Sequence, residues 1–275
     1  MPRFKAQIQA GRALKVFVLN IILLCSSNMG LAAERPESGD YLFAAGGLGL
    51  AMGFELLIKD QLLPDVPRFS NPNRFDTSIR NSLYWGAEHR ELAETWSDRL
   101  IYGVSMSSLL WGPLSSRETG RSALINMEVF SANSILTNLF KVSAGRERPY
   151  HHYGTRESSG KTDYASFFSG HSSIAFSQAV TNALLLSLDY PQYKTLIWSS
   201  LLGTAGLTAY LRVASDMHYF SDILVGACAG SFVAWTITSL ELRRLNRSPS
   251  NAAKIALSYG GSSRDFNFTL KIPLG

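Results

Sequence analysis

Ser172–Leu188 reads SSIAFSQAVTNALLLSL, seventeen residues with no charge, no glycine and no proline. A strand averages about five or six residues, so this stretch is too long for one and fits a helix of four to five turns. Five further apolar stretches have the same character: Tyr41–Ile58, Leu100–Leu114, Ser122–Phe140, Leu196–Leu211 and Ile223–Leu240. Together they predict an all-α protein built on a six-helix bundle core. The last three of the six stretches carry almost no charge, and Ser172–Leu188 and Ile223–Leu240 reach the ~17 residues that can just span hydrocarbon. The first three are interrupted by Glu55, Asn126, Glu128, Asn133 and Asn138, and Leu100–Leu114 is short.

The flanks differ from the core. Residues 59–99 contain Pro64, Pro67, Asn71, Pro72 and Asn73 and read as a loop, within which Asp76 can cap a short helix with Ile79 and Leu83 on one face. At the other end Ile255, Leu257 and Tyr259 alternate, Gly260-Gly261 follows, and Phe266, Phe268, Leu270 and Ile272 alternate again. That is the pattern of a short C-terminal β-hairpin. The expected layout is an export signal over 1–33, an N-terminal helix and proline-rich segment over 34–99, the bundle over 100–245 and a hairpin tail over 246–275.

Composition narrows the function classes. Hydrophobic residues are 46% of the 275 and charged residues 17%, against a usual charged share of about 25%. Mean hydropathy is +0.03, between a soluble enzyme and a densely transmembrane protein. This much apolar surface with little net charge excludes a disordered chain. Two cysteines, Cys25 and Cys228, exclude a disulfide scaffold, and with five histidines they leave no thiol-based metal cluster. The net charge of +5 is diffuse. It suits an anionic substrate or a membrane surface and gives no footprint for nucleic acid.

The N-terminus reads as an export signal. Arg3, Lys5, Arg12 and Lys15 precede the apolar VFVLNIILL of Val16–Leu24, and Gly30, Leu31, Ala32 and Ala33 form a small-residue cleavage zone. The alternative is an uncleaved membrane anchor. The bulky Leu23-Leu24 argue against a lipoprotein site at Cys25. Arg117 and Arg121, and Arg243, Arg244 and Arg247, would mark cytoplasmic ends under the positive-inside rule. A cleaved signal conflicts with that orientation unless the first helix does not cross, so an exported soluble bundle and a membrane-embedded one both stay open.

Three charged segments interrupt the apolar background at helix ends. Lys141-Val-Ser-Ala-Gly-Arg-Glu-Arg148-Pro149 follows the third helix. It gathers an ammonium and guanidinium groups where Gly145 and Pro149 stop the helix, a set that suits phosphate. Ser169-Gly170-His171 opens the fourth helix. A helix N-terminus offers free N–H groups to an anion, Gly170 permits close approach, and His171 can pass a proton to a group bound there. Arg212, His218 and Asp222 straddle the turn into the sixth helix. His218 and Asp222 are four apart, so Asp222 can accept from one imidazole nitrogen and leave the other free as a nucleophile. Cations, an anion-binding helix end, a proton donor and a nucleophile make a set for phosphoryl transfer.

Lys141-x6-Arg148-Pro149, Ser169-Gly170-His171 and Arg212-x5-His218-x3-Asp222 resemble the three signature motifs of the type 2 phosphatidic acid phosphatase (PAP2) and vanadium haloperoxidase superfamily. The resemblance covers roughly residues 95–240. It implies an α-helical bundle with the site at one end. It also implies His218 as a nucleophile forming a phosphohistidine, Asp222 as its orienter and His171 as general acid, then base. Lys141, Arg148, Ser169, Gly170 and Arg212 would hold the phosphoryl oxygens. No metal or cofactor is implied; the implied partners are a phosphorylated small molecule or lipid and a membrane. Two positions depart from the pattern: Phe168 stands where proline usually precedes Ser-Gly-His, and Leu211 where serine usually precedes the arginine. The implied activity is a phosphatase acting on monoesters or diphosphates at the periplasmic side of the inner membrane. The alternatives are a vanadate-dependent haloperoxidase and a protein whose site has decayed.

The remaining charged residues have weaker roles. His151 and His152 line the motif loop or are solvated, His89 is a surface residue, and Glu128 is a packing partner. Arg146 and Lys161 supply background positive potential.

Overall fold

The computed structural model describes residues 38–246 and the short stretches 256–258 and 269–271. The expected export signal and Cys25 lie outside the described residues. The described residues up to 241 form one unit with its own interior.

That unit is helical. Helix α1 runs over Ser38–Leu62 and contains a π-helical turn at Phe54–Ile58. Helix α2, Arg74–Leu83, begins at Asn73, whose side chain accepts from the Asp76 backbone N–H at 2.8 Å. Helix α3 runs from Arg90–Met106 through a π-helical turn, Ser107–Trp111, into Gly112–Ser115. Helix α4 is Thr119–Ala144, and it stops at Gly145, which has φ +54° and donates its N–H to the Lys141 carbonyl at 3.0 Å. A left-handed residue is the common helix terminator, and glycine takes it without strain. Helix α5 is Gly170–Asp189, α6 is Lys194–Ala214 and α7 is Phe220–Asn246.

Each of the six apolar stretches lies within a helix, α2 is the short helix expected at Asp76, and α1 runs on into the expected loop as far as Leu62. The expected loop over 59–99 is also wrong in its second half: α3 starts at Arg90, ten residues before the apolar stretch. Its first turns hold Glu91, Glu94, Asp98 and Arg99, so its helical character rests on one buried face, Ala93, Ser97 and Ile101, and an apolar run could not show it. The boundary expected at 99/100 falls inside this helix.

Helix α5 is the axis of the bundle, packed against α3, α4 and α6. Ala175, Ala179, Ala205 and Ile101 are buried together, with Ile174, Phe176, Leu201 and Leu202 around them. Its freedom from charge is therefore explained by protein neighbours. Helix α7 comes so close to α5 that a Cβ at Gly230 would lie 2.1 Å from the Ser173 carbonyl oxygen. The asparagines that interrupt α4 in sequence point inward. Asn126 and Asn182 exchange amide hydrogen bonds, and Ser173 donates to Asn133 at 2.6 Å. Buried polar groups are tolerated when paired in this way.

The outward surfaces of α1 and α7 are apolar. Leu42, Leu50, Leu56 and Leu57 on α1 and Leu224, Phe232 and Trp235 on α7 are exposed. Among the described residues two helices, Ser38–Leu62 and Phe220–Arg243, are long and apolar enough to cross a membrane, each with mean hydropathy 1.7. Beyond α7, Ala256–Ser258 pairs antiparallel with Thr269–Lys271, Leu257 opposite Leu270. The Gly260-Gly261 turn expected between them lies outside the described residues.

Candidate active site

The end of the bundle where α4 and α6 stop and α5 and α7 begin collects the three charged segments. Lys141 occupies the last turn of α4. Gly170 lets it reach the start of α5: a Cβ on that glycine would sit 3.3 Å from Lys141 Nζ and 3.4 Å from Thr137. Ser169 caps α5, accepting from the Ser172 N–H at 3.3 Å, and is fully buried. Arg148 is buried just before Pro149. Its Nε donates to the Thr162 carbonyl at 2.9 Å and its Nη1 to the Met217 carbonyl at 3.3 Å. Arg212, in the last turn of α6, is buried and donates through Nη1 to Ser97 Oγ at 2.8 Å and Asp98 Oδ1 at 3.0 Å. Its Nε is buried without a partner, a donor that an anion would satisfy.

His218 is 2% exposed, on the turn between α6 and α7. Its Nδ1 donates to the Ser166 backbone carbonyl at 2.8 Å. The direct His218–Asp222 hydrogen bond expected from the spacing is absent: Nδ1 to Asp222 Oδ2 is 3.7 Å. Asp222 acts one step back. It accepts from Ser166 Oγ at 2.6 Å, from the Tyr219 N–H at 3.0 Å and from Arg146 Nη1 at 2.6 Å. Carboxylate and imidazole thus grip the same residue, Ser166, by hydroxyl and carbonyl. A donated Nδ1 proton leaves Nε2 with its lone pair free.

His171 faces Asp98, with Nε2 2.8 Å from Oδ1. Asp98 therefore ties His171 to Arg212 through one oxygen. No sequence signal marked Asp98 or Ser166, because their partners are 52 to 114 positions away and Ser166 meets His218 through its backbone carbonyl.

The electrostatics have one dominant cause, the burial of several cations together. Burial, with Arg148 and Arg212 beside it, holds His218 well below the ordinary histidine range. It is a neutral imidazole at neutral pH. Burial and then Arg212 push His171 down to about 4, against the opposing pull of Asp98. Burial and then Arg148 push Lys141 down to about 7. Desolvated like charges disfavour one another, and a dianion placed among them reverses each shift. Proton uptake on binding follows. At pH 8 the empty site holds Lys141 largely neutral, and inorganic phosphate should raise its pKa and draw in a proton. Calorimetry in buffers of different ionisation enthalpy should read that uptake, and Lys141→Met should lose it. Binding without proton exchange, or uptake unchanged in Lys141→Met, would contradict this reading of the site.

The other charged candidates are engaged in structural contacts. Arg146 bridges Asp222 and Asp76 and is not background charge. Lys161 pairs with Asp65 at 2.8 Å on the surface. His151 and His152 both lean on the buried Glu147, at 2.6 and 3.3 Å. His89 is exposed.

Residues 123–245 match the family model described as PAP2 superfamily. This segment is similar to the PAP2 superfamily. A PA-phosphatase related-family protein of Dictyostelium discoideum is 30% identical over 129 residues, 42% of this chain, and the chain spans 47% of that relative's length. A transmembrane PAP2 type phosphatidylglycerolphosphate phosphatase from Bacillus subtilis aligns over 84% of this chain and 96% of its own, at 18% identity and TM-score 0.42.

All three charged segments fall inside the matched residues 123–245, whereas α1, α2 and α3 precede them. Asp98 and Ser97 reach Arg212 and His171 from that N-terminal part. The two departures from the motif pattern fill core positions. Phe168 is buried against Phe140, ring centroids 5.2 Å apart, and Leu211 is buried with Ala93 and Ala214. Neither side chain carries a hydrogen-bonding group or a charge.

Proposed function

We propose that the chain is a phosphatase that hydrolyses phosphate monoesters or diphosphates of lipids through a phosphohistidine on His218. The observation that carries this reading is a neutral, buried imidazole whose Nδ1 is fixed by the Ser166 carbonyl amid Lys141, Arg148 and Arg212. Its free Nε2 attacks phosphorus, and the bond from phosphorus to the leaving oxygen breaks. His171 gives that oxygen its proton. Water then attacks the phosphohistidine, His171 takes the proton from the water, and inorganic phosphate leaves. Lys141, Arg148, Arg212, Ser169 and the Gly170 N–H hold the three equatorial oxygens, where charge accumulates in the transition state. Asp222 orients His218 at one remove, through Ser166.

The apolar outward faces of α1 and α7 support a lipid substrate and a membrane-held enzyme. In this reading the chain is exported and its site faces the periplasm at the inner membrane. An alkaline wash of membranes followed by assay tests both parts. The protein should stay with the membrane and hydrolyse a lipid phosphate in mixed micelles with a higher kcat/KM than an aryl phosphate. Release by the wash with equal activity on both substrates would remove the lipid reading, and no hydrolysis of either would remove the phosphatase.

A further inference from the structure

We propose that Asp76 and Arg80 of α2 are positioning residues that fix the turn carrying His218, and so aim its imidazole. This rests on the phosphatase reading above. Both residues lie outside the matched residues 123–245, on a helix of ten residues. They are four apart and therefore share a face, and each is buried.

Asp76 holds the far end of the turn. Its Oδ1 accepts from the Ser221 backbone N–H at 2.8 Å, and its Oδ2 accepts from Ser221 Oγ at 2.7 Å and Arg146 Nη2 at 2.8 Å. A carboxylate from another helix thus meets the first turn of α7, where backbone N–H groups are free and the dipole is positive. Arg146 carries the connection onward to Asp222, Asp222 to Ser166, and the Ser166 carbonyl to His218.

Arg80 holds the near end. Its Nε and Nη2 clasp the two oxygens of Asp216 at 2.5 and 2.7 Å. Asp216 has φ +62°, a left-handed conformation that a residue with a Cβ rarely takes and that its surroundings must enforce. Thr155 Oγ1 donates to the same carboxylate at 2.6 Å, and the Tyr150 N–H donates to the Asp216 carbonyl at 3.0 Å. The Arg80 guanidinium stacks 3.8 Å from the Tyr153 ring centre. His218 lies between the two clamped points, Asp216 and Ser221. Misplacing a reacting atom by about 1 Å can cost about 100-fold in rate, so the clamp is worth that order in turnover.

The test compares wild type with Asp76→Asn and Arg80→Lys, in the full chain, on an aryl phosphate and with inorganic phosphate as competitor. Asp76→Asn keeps the shape and loses the charge facing Arg146; Arg80→Lys keeps the charge and loses the fork. We expect kcat to fall about 10- to 100-fold while KM and phosphate inhibition move less than about threefold, because the pocket cations are untouched. Where Asp76→Asn does not fold, Ser221→Ala, which removes only the hydroxyl shared by Asp76 and Arg146, should show the same split. Unchanged kcat in a folded variant would overturn the inference, as would a loss carried by KM and phosphate affinity. An inactive wild type would sink the phosphatase reading itself, and the positioning role with it.

Discussion

His218→Ala should leave no measurable turnover of any phosphate ester while binding inorganic phosphate at least as well as wild type. The two outcomes follow from one geometry. In the proposed mechanism the imidazole supplies the attacking Nε2, so its loss would remove the covalent route, and loss of a nucleophile costs on the order of a millionfold in well-studied hydrolases. In the proposed reading the anion is held by Lys141, Arg148, Arg212 and the start of α5, none of which the substitution removes. A neutral, buried ring contributes no charge to binding. Rates would be measured with an aryl phosphate and a lipid phosphate, and phosphate affinity by calorimetry. Retained turnover would mean that water attacks directly and that His218 is not the nucleophile.

His171→Ala should divide substrates by their leaving group. An alkoxide or lipid leaving group needs a proton as its bond to phosphorus breaks, and general acid catalysis contributes about 10²–10⁴-fold. Loss of His171 should cost that much with an alkyl or lipid phosphate, and much less with p-nitrophenyl phosphate, whose leaving group departs as a stable anion. The low pKa of His171 in the empty site, about 4, sets the sign of a second effect. The histidine is neutral in the folded, unliganded protein and protonates in the unfolded chain below about pH 6.5. Unliganded stability should therefore fall as pH drops from 6.5 towards 4, and bound phosphate should offset the loss by raising the folded pKa. His171→Ala should flatten this dependence. An equal rate loss for both leaving groups would remove the general acid role.

The chemistry-bearing residues were legible because they sit where the apolar pattern breaks. Gly145 and Pro149 stop α4, Ser169 starts α5, and Arg212 and His218 bracket the turn between α6 and α7. Each break is local, and local signals survive in a sequence. The rest depends on chain segments that only the fold brings together. Asp98 reaches His171 and Arg212 from a helix whose charged first turns hid it. Asp76 and Arg80 sit in a stretch whose helix was expected, but whose partners Ser221, Arg146 and Asp216 are 70 to 145 positions away. The spacing of His218 and Asp222 put them on one face, yet the imidazole chose the nearer Ser166 carbonyl. A backbone acceptor leaves no mark on residue identity. The apolar stretches likewise could not say which helix faces protein and which faces outward. α5 proved to be the enclosed axis, and the interrupted Tyr41–Ile58 became part of an outward-facing helix.

The central claim is a covalent bond between His218 Nε2 and phosphorus. Quenching in alkaline denaturant during turnover of a radiolabelled phosphate ester, followed by peptide mapping at alkaline pH, tests it most directly. The account predicts an acid-labile, base-stable phosphoryl label on the peptide that contains His218, absent in His218→Ala and longer-lived in His171→Ala. An active enzyme that never carries label, or carries it on another residue, would contradict it.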